Sequence, residues 1–141
     1  MANLTAGQET PMAVDYSELA LAMTASTTIY QGGAVGVVSG TGTALPLDTT
    51  TATHLFVGIA TASKTSASSG TTLITVKRRG LFKAMATNGI AIAQKNVGQD
   101  VYWFDDHTVS LNAFTGGQKA GKVAKIDSNG DAWISMDSAC N

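Results

Sequence analysis

From Ile29 onward the chain is a succession of short apolar runs set between clusters of glycine, serine, threonine, asparagine and aspartate. Ala34-Val-Gly-Val-Val38 is closed by Ser39-Gly-Thr-Gly42, and Ala44-Leu-Pro-Leu47 follows. His54-Leu-Phe-Val-Gly-Ile-Ala60, Thr71-Thr-Leu-Ile-Thr-Val-Lys77 and Val101-Tyr-Trp-Phe104 continue the series. Runs of this length bounded by turn formers, rich in β-branched and aromatic residues, read as strands. Pro46 cannot donate to a central ladder, which makes its run an edge piece. Lys122–Asp127 and Ala132–Met136 alternate apolar and polar residues around Ser128-Asn-Gly-Asp131. Asn-Gly supplies the positive φ values of a tight turn, so this pair is a β-hairpin. About eight short strands at this spacing predict an all-β fold, a compact β-barrel or β-sandwich with at most one short helix.

Two stretches read less clearly. Residues 1–27 hold Pro11, small polar residues and one apolar patch, Tyr16–Met23, and are expected to form an N-terminal arm to a domain spanning 28–141. The patch reads equally as one or two helical turns or as an extended piece that needs a neighbour to bury Leu19, Leu21 and Met23. Ala84–Gln94 has the alanine content of a helix, but Asn88-Gly89 interrupts it. Thr61–Gly70 looks like a flexible hairpin connection.

Only 13% of the 141 residues are charged, about half the usual share. A chain so poor in charge either covers itself with hydroxyls or hides surface against other subunits. Charge depletion in interface cores favours the second reading. The net charge of -1 implies no polyanion. Lys77-Arg78-Arg79 is the basic cluster, too small for phosphate binding, which needs several such contacts. It reads as a solvated strand end or as a contact with an acidic protein surface. The first eight residues carry no basic residue and no long apolar stretch, so no signal peptide is visible and folding in a cytoplasm is expected. Leu19–Met23 is far too short to span a bilayer. The single cysteine, Cys140, has no internal partner and no zinc or redox motif around it.

Motifs with chemical content are few. Gly32-Gly-Ala-Val-Gly36 lacks the Gly-Lys-Ser/Thr ending of a phosphate loop. Asp105-Asp106-His107 carries metal-ligand and acid–base residue types, but successive strand residues point to opposite faces, and a polar turn after Val101–Phe104 is the better reading. Asp127–Asp131 opens like a calcium loop, yet position 138, which would close it, is a serine. His54 stands alone, and no Gly-x-Ser-x-Gly elbow occurs. Trp103, Trp133, Tyr102 and Phe104 suit a core or an interface better than a sugar-binding face. No catalytic residue, cofactor site or metal site is assigned, and the chain is expected not to be an enzyme.

Several pieces recur together in one order. Tyr30–Val38, Phe56-Val-Gly-Ile-Ala60, Val76-Lys-Arg-Arg-Gly-Leu-Phe82, Ala91–Gln94 followed by Gly98-Gln-Asp-Val-Tyr-Trp103, Ala120-Gly-Lys-Val-Ala124 and Trp133–Met136 resemble the small β-rich capsid cement (head decoration) proteins of phages. The resemblance covers Tyr30 to Met136. It implies a homotrimer, or a dimer, on the outer surface of the virion head, bridging major capsid protein subunits after assembly in the host cytoplasm. It implies no catalytic residues, no nucleic acid and no membrane. On that reading Tyr16, Leu19, Leu21 and Met23 of the arm, with Lys77, Arg78 and Arg79, are the expected capsid or inter-subunit contacts. The rival readings are a receptor- or carbohydrate-binding domain of a phage tail or fibre, and a hydrolase built on Asp105, Asp106 and His107.

Overall fold

The computed structural model describes residues 17–49, 54–113 and 117–137. Thirteen strands make it all-β: β1 (Glu18–Ala22), β2 (Thr28–Ile29), β3 (Ala34–Val38), β4 (Ala44–Pro46), β5 (His54–Ala60), β6 (Lys64–Thr65), β7 (Leu73–Lys77), β8 (Arg79–Lys83), β9 (Ala86–Thr87), β10 (Asp100–Trp103), β11 (Thr108–Ser110), β12 (Gln118–Ile126) and β13 (Ala132–Asp137). The helical element described is one 3-10 turn at Gln94–Asn96. The excess over eight strands lies mainly in two-residue pieces that periodicity does not register.

A five-stranded sheet in the order β1-β7-β5-β3-β4 curls until its two edges touch. The Met23 N–H donates to the Thr72 carbonyl at 2.8 Å, and the Thr24 N–H to the Ala44 carbonyl at 2.8 Å. Inside the curl lies an inner core of Met23, Ile29, Val35, Ala44, Ala60, Ile74 and Val76. The β2–β6 pair borders it. Ile29 on β2 contributes to that core, and the Ser66 side chain after β6 accepts from the Thr27 N–H at 2.9 Å. The stretch 61–70, read from sequence as a flexible connection, thus contains a paired strand and a buried serine.

The six-stranded sheet runs β8-β13-β12-β10-β11-β9. It packs on the outer face of the curled sheet through an inter-sheet core that includes Ala34, Leu47, Val101, Trp103, Val109, Val123 and Ile134, flanked by Phe56, Ile59 and Phe82. The chain passes from one sheet to the other at a single residue, Arg78, between β7 and β8. The β12–β13 hairpin forms as the sequence predicts, with Gly130 at φ +85°. Asp127 binds its tip: one carboxylate oxygen accepts the N–H groups of Asn129 and Asp131, each at 2.9 Å. The other accepts the Trp133 indole N–H at 3.0 Å. These donors hold the Asp127 carboxyl below the usual carboxylate range, the indole contributing most.

One irregularity decides which side chains of β5 face which core. Val35 pairs with Gly58 and Gly36 with Phe56, leaving Val57 as an extra residue. This bulge puts Phe56 and Ile59 together against the inter-sheet core and Val57 against the inner one. Leu55, expected in the core from uninterrupted alternation, is 59% exposed. The backbone displaced by the bulge is satisfied from the other sheet. The Gln118 Oε1 accepts the Phe56 N–H at 2.6 Å, and its amide nitrogen donates to the His54 carbonyl. Replacing Gln118 with leucine keeps the bulk and leaves both backbone groups unpaired, so a loss of about 1–3 kcal/mol is expected in a urea titration. No change in the midpoint would mean that water satisfies the bulge instead.

The boundary of the arm moves. Glu18–Ala22 pair in register with Lys77–Leu73, so the expected arm over 1–27 is corrected from Glu18 onward: that stretch is an integral edge strand. The patch is extended because its partner strand lies far along the chain, a signal no local window contains. Ala84–Gln94 is likewise not helical, holding β9, bends and the first residue of the 3-10 turn.

Candidate interaction surface

The residues singled out from sequence fall into three places. Tyr16 lies outside the described residues. Leu19 and Leu21 pack half-buried against the inner core and Met23 is buried, so these side chains are engaged within the domain rather than offered as contacts. Lys77 and Arg79 are exposed and flank the crossing between the sheets, and the Arg78 N–H donates to the Ser17 carbonyl at 2.7 Å. Asp137, the last described residue, pairs with Arg79. Both ends of the described domain therefore emerge at the β7–β8 junction.

At this junction the surface is concave. β8 pairs with β13 on one side and ends its sheet on the other, with no further strand partner among the described residues. Beside it run two adjoining hollows of about 210 Å³ and about 270 Å³ that share Ile59 and Phe82. The first is lined in addition by Lys77, Arg79, Leu81 and Met136, the second by Lys83, Met85, Trp103 and His107. Ile59 comes from the curled sheet and Phe82 from the edge strand, so the groove marks the seam where the inter-sheet core reaches the surface. Leu81 and Met85 stand 53% and 59% exposed along it. Lys77 and Arg79 make one end basic, whereas Lys83 has Asp131 at 3.5 Å. An unpaired edge with an apolar floor is what strand addition requires: backbone groups to bind and pockets for alternate side chains.

The turn Phe104–His107 borders the far end of the groove. Asp105 closes it by accepting the N–H groups of His107 and Thr108 at 2.9 and 2.8 Å. The His107 Nδ1 lies 2.9 Å from an Asp106 oxygen, and this bond, with the charge of Asp105, raises the imidazole above the usual histidine range. The Asp106 carbonyl accepts the Ala34 N–H at 2.7 Å, and the Thr49 hydroxyl donates to the Phe104 carbonyl, so the turn docks one sheet on the other. The ligand-type atoms of Asp105, Asp106 and His107 do lie within 4.8 Å of one another. Their hydrogen bonds, however, are those of a structural turn.

The tryptophans are not a shared open face. Trp103 is 2% exposed, and the Trp133 indole is held by Asp127 with the Lys125 ammonium 5.5 Å above its ring. The groove was not foreseen from the sequence. Only its basic end, Lys77 to Arg79, stands out there, because the apolar floor is assembled from β5, β8 and β13. No helix among the described residues is long and apolar enough to cross a membrane. No protein-family model matches the chain, and neither a curated protein nor a solved structure does.

Proposed function

We propose that this chain is a capsid decoration, or cement, protein: it binds the outside of an assembled phage head and bridges neighbouring major capsid subunits. The observation that carries the reading is the groove along β8, an unpaired strand edge with an apolar floor and a basic end at Lys77 and Arg79. Such a surface suits an extended segment with an acidic residue, offered by a capsid subunit. The ordered likeness of Tyr30–Met136 to decoration proteins points the same way, and the low charge suits self-association into a homotrimer. Several modest contacts on one rigid oligomer then act at high effective concentration and give a long-lived clamp without chemistry. A protein that binds only the assembled shell stabilises it by mass action, about 2.7 kcal/mol per site at a hundredfold excess over Kd.

The test is co-sedimentation with expanded, undecorated heads of the phage that encodes the chain, with unexpanded shells as control. Saturable binding to expanded heads at a fixed ratio to capsid subunits is expected, weakened at least tenfold by Leu81→Asp, an exposed position. Absence of binding to either form would overturn the reading and move attention to receptor or glycan binding.

A further inference from the structure

The groove begins where the chain enters the domain. Ser17 bonds to Arg78, and Lys77 and Arg79 on either side of Arg78 line the groove's basic end. The residues before Ser17 lie outside the described residues, and their sequence suits the groove in three respects. Met12-Ala-Val-Asp-Tyr16 places apolar side chains at every second position, the pattern of a strand with one buried face. Its five residues equal the length of β8, and Pro11, which has no N–H, marks where a ladder ends. Residues 1–16 carry Glu9 and Asp15 and no lysine or arginine, and Asp15 is two residues from Ser17, hence close to Lys77 and Arg79.

We infer that residues 12–16 are the resting occupant of this groove. They lie extended along the free edge of β8 in their own chain, with Met12, Val14 and Tyr16 over Ile59, Phe82 and Met136 and with Asp15 against the basic end. Attachment through Ser17 favours the chain's own segment over a free peptide or a second copy, since the tether supplies an effective concentration in the millimolar range. The inference rests on the groove being a docking surface, as in the proposed function, but not on what docks there in a head: a capsid strand would have to displace the segment.

The test is disulfide trapping in the full chain with Cys140→Ser. One variant carries Val14→Cys and Leu81→Cys. The control carries Val14→Cys and Asn129→Cys, the latter exposed at the hairpin tip, at the opposite end of β13 from Asp137. Under mild oxidation the first pair is expected to close within monomers at least tenfold faster than the control, and Met12→Asp is expected to abolish that preference. Equal rates for the two pairs would overturn the inference. A crosslink formed only between chains would overturn the assignment to the chain's own segment, making a second copy the occupant. Since no head is present, failure here leaves capsid binding standing, and failure of co-sedimentation leaves trapping standing.

Discussion

Gly121→Ala is expected to cost about 4 kcal/mol or more, near the upper end of what one substitution does. Gly121 lies in β12 opposite β13 with φ +155°, and a β-carbon built there would sit 2.0 Å from the Ser135 carbonyl oxygen and 2.9 Å from its carbon. Both are backbone atoms in a paired strand, so neither yields by a change of rotamer. Alanine fits only if β12 and β13 separate, and those strands hold Val123 and Ile134 in the inter-sheet core. Against a typical total stability of about 5–15 kcal/mol, such a loss leaves a substantial unfolded fraction. Gly40→Ala is the control, since nothing lies within 4 Å of its added carbon. It should stay within about 0.5 kcal/mol. Equal urea midpoints for the two variants would refute the close approach of β12 and β13.

Trp103→Ala is expected to cost about 3–5 kcal/mol. The ring is 2% exposed and meets Phe82 at 5.2 Å, nearly parallel, and Phe56 at 5.4 Å, tilted. Those neighbours sit on β8 and β5, so one indole couples the edge strand, the bulged strand and β10. Its Nε1 is buried without a hydrogen-bond partner among the described residues, so the loss is one of packing and area. Trp103→Phe should therefore retain most of the stability. A phenylalanine variant as unstable as the alanine one, by thermal melt and near-ultraviolet circular dichroism, would show that the indole N–H has an acceptor after all.

Strand runs were legible where burial follows strict alternation or a tight turn. β3, β5, β7 and β10 coincide with apolar runs, and the β12–β13 hairpin is announced by Asn129-Gly130. What escaped depends on distant partners. Leu55 was placed in the core because a bulge at Val57, fixed by pairing with β3 and by Gln118 from the other sheet, breaks the period on which the placement relied. Met23 looked like part of an arm because its enclosing residues, Ala44 among them, come from elsewhere in the chain. Gln118 carries no local mark at all: its neighbours are ordinary strand residues, and its task appears only when His54 and Phe56 are brought opposite it. For the same reason the sequence disclosed the charge of the groove but not its floor.

The meeting of the domain's two ends at Arg78 and Arg79 has a practical consequence for engineering. Ser17 bonds to one of these residues and Asp137 pairs with its neighbour. A short linker can join the ends, and the exposed tip at Ser128–Asn129 then supplies new ones, so the fold suits circular permutation. Foreign domains carried at both natural ends, by contrast, would crowd the same spot on the surface and stand over the β8 edge. The permuted chain, with its cargo moved to the hairpin tip, would leave that edge clear.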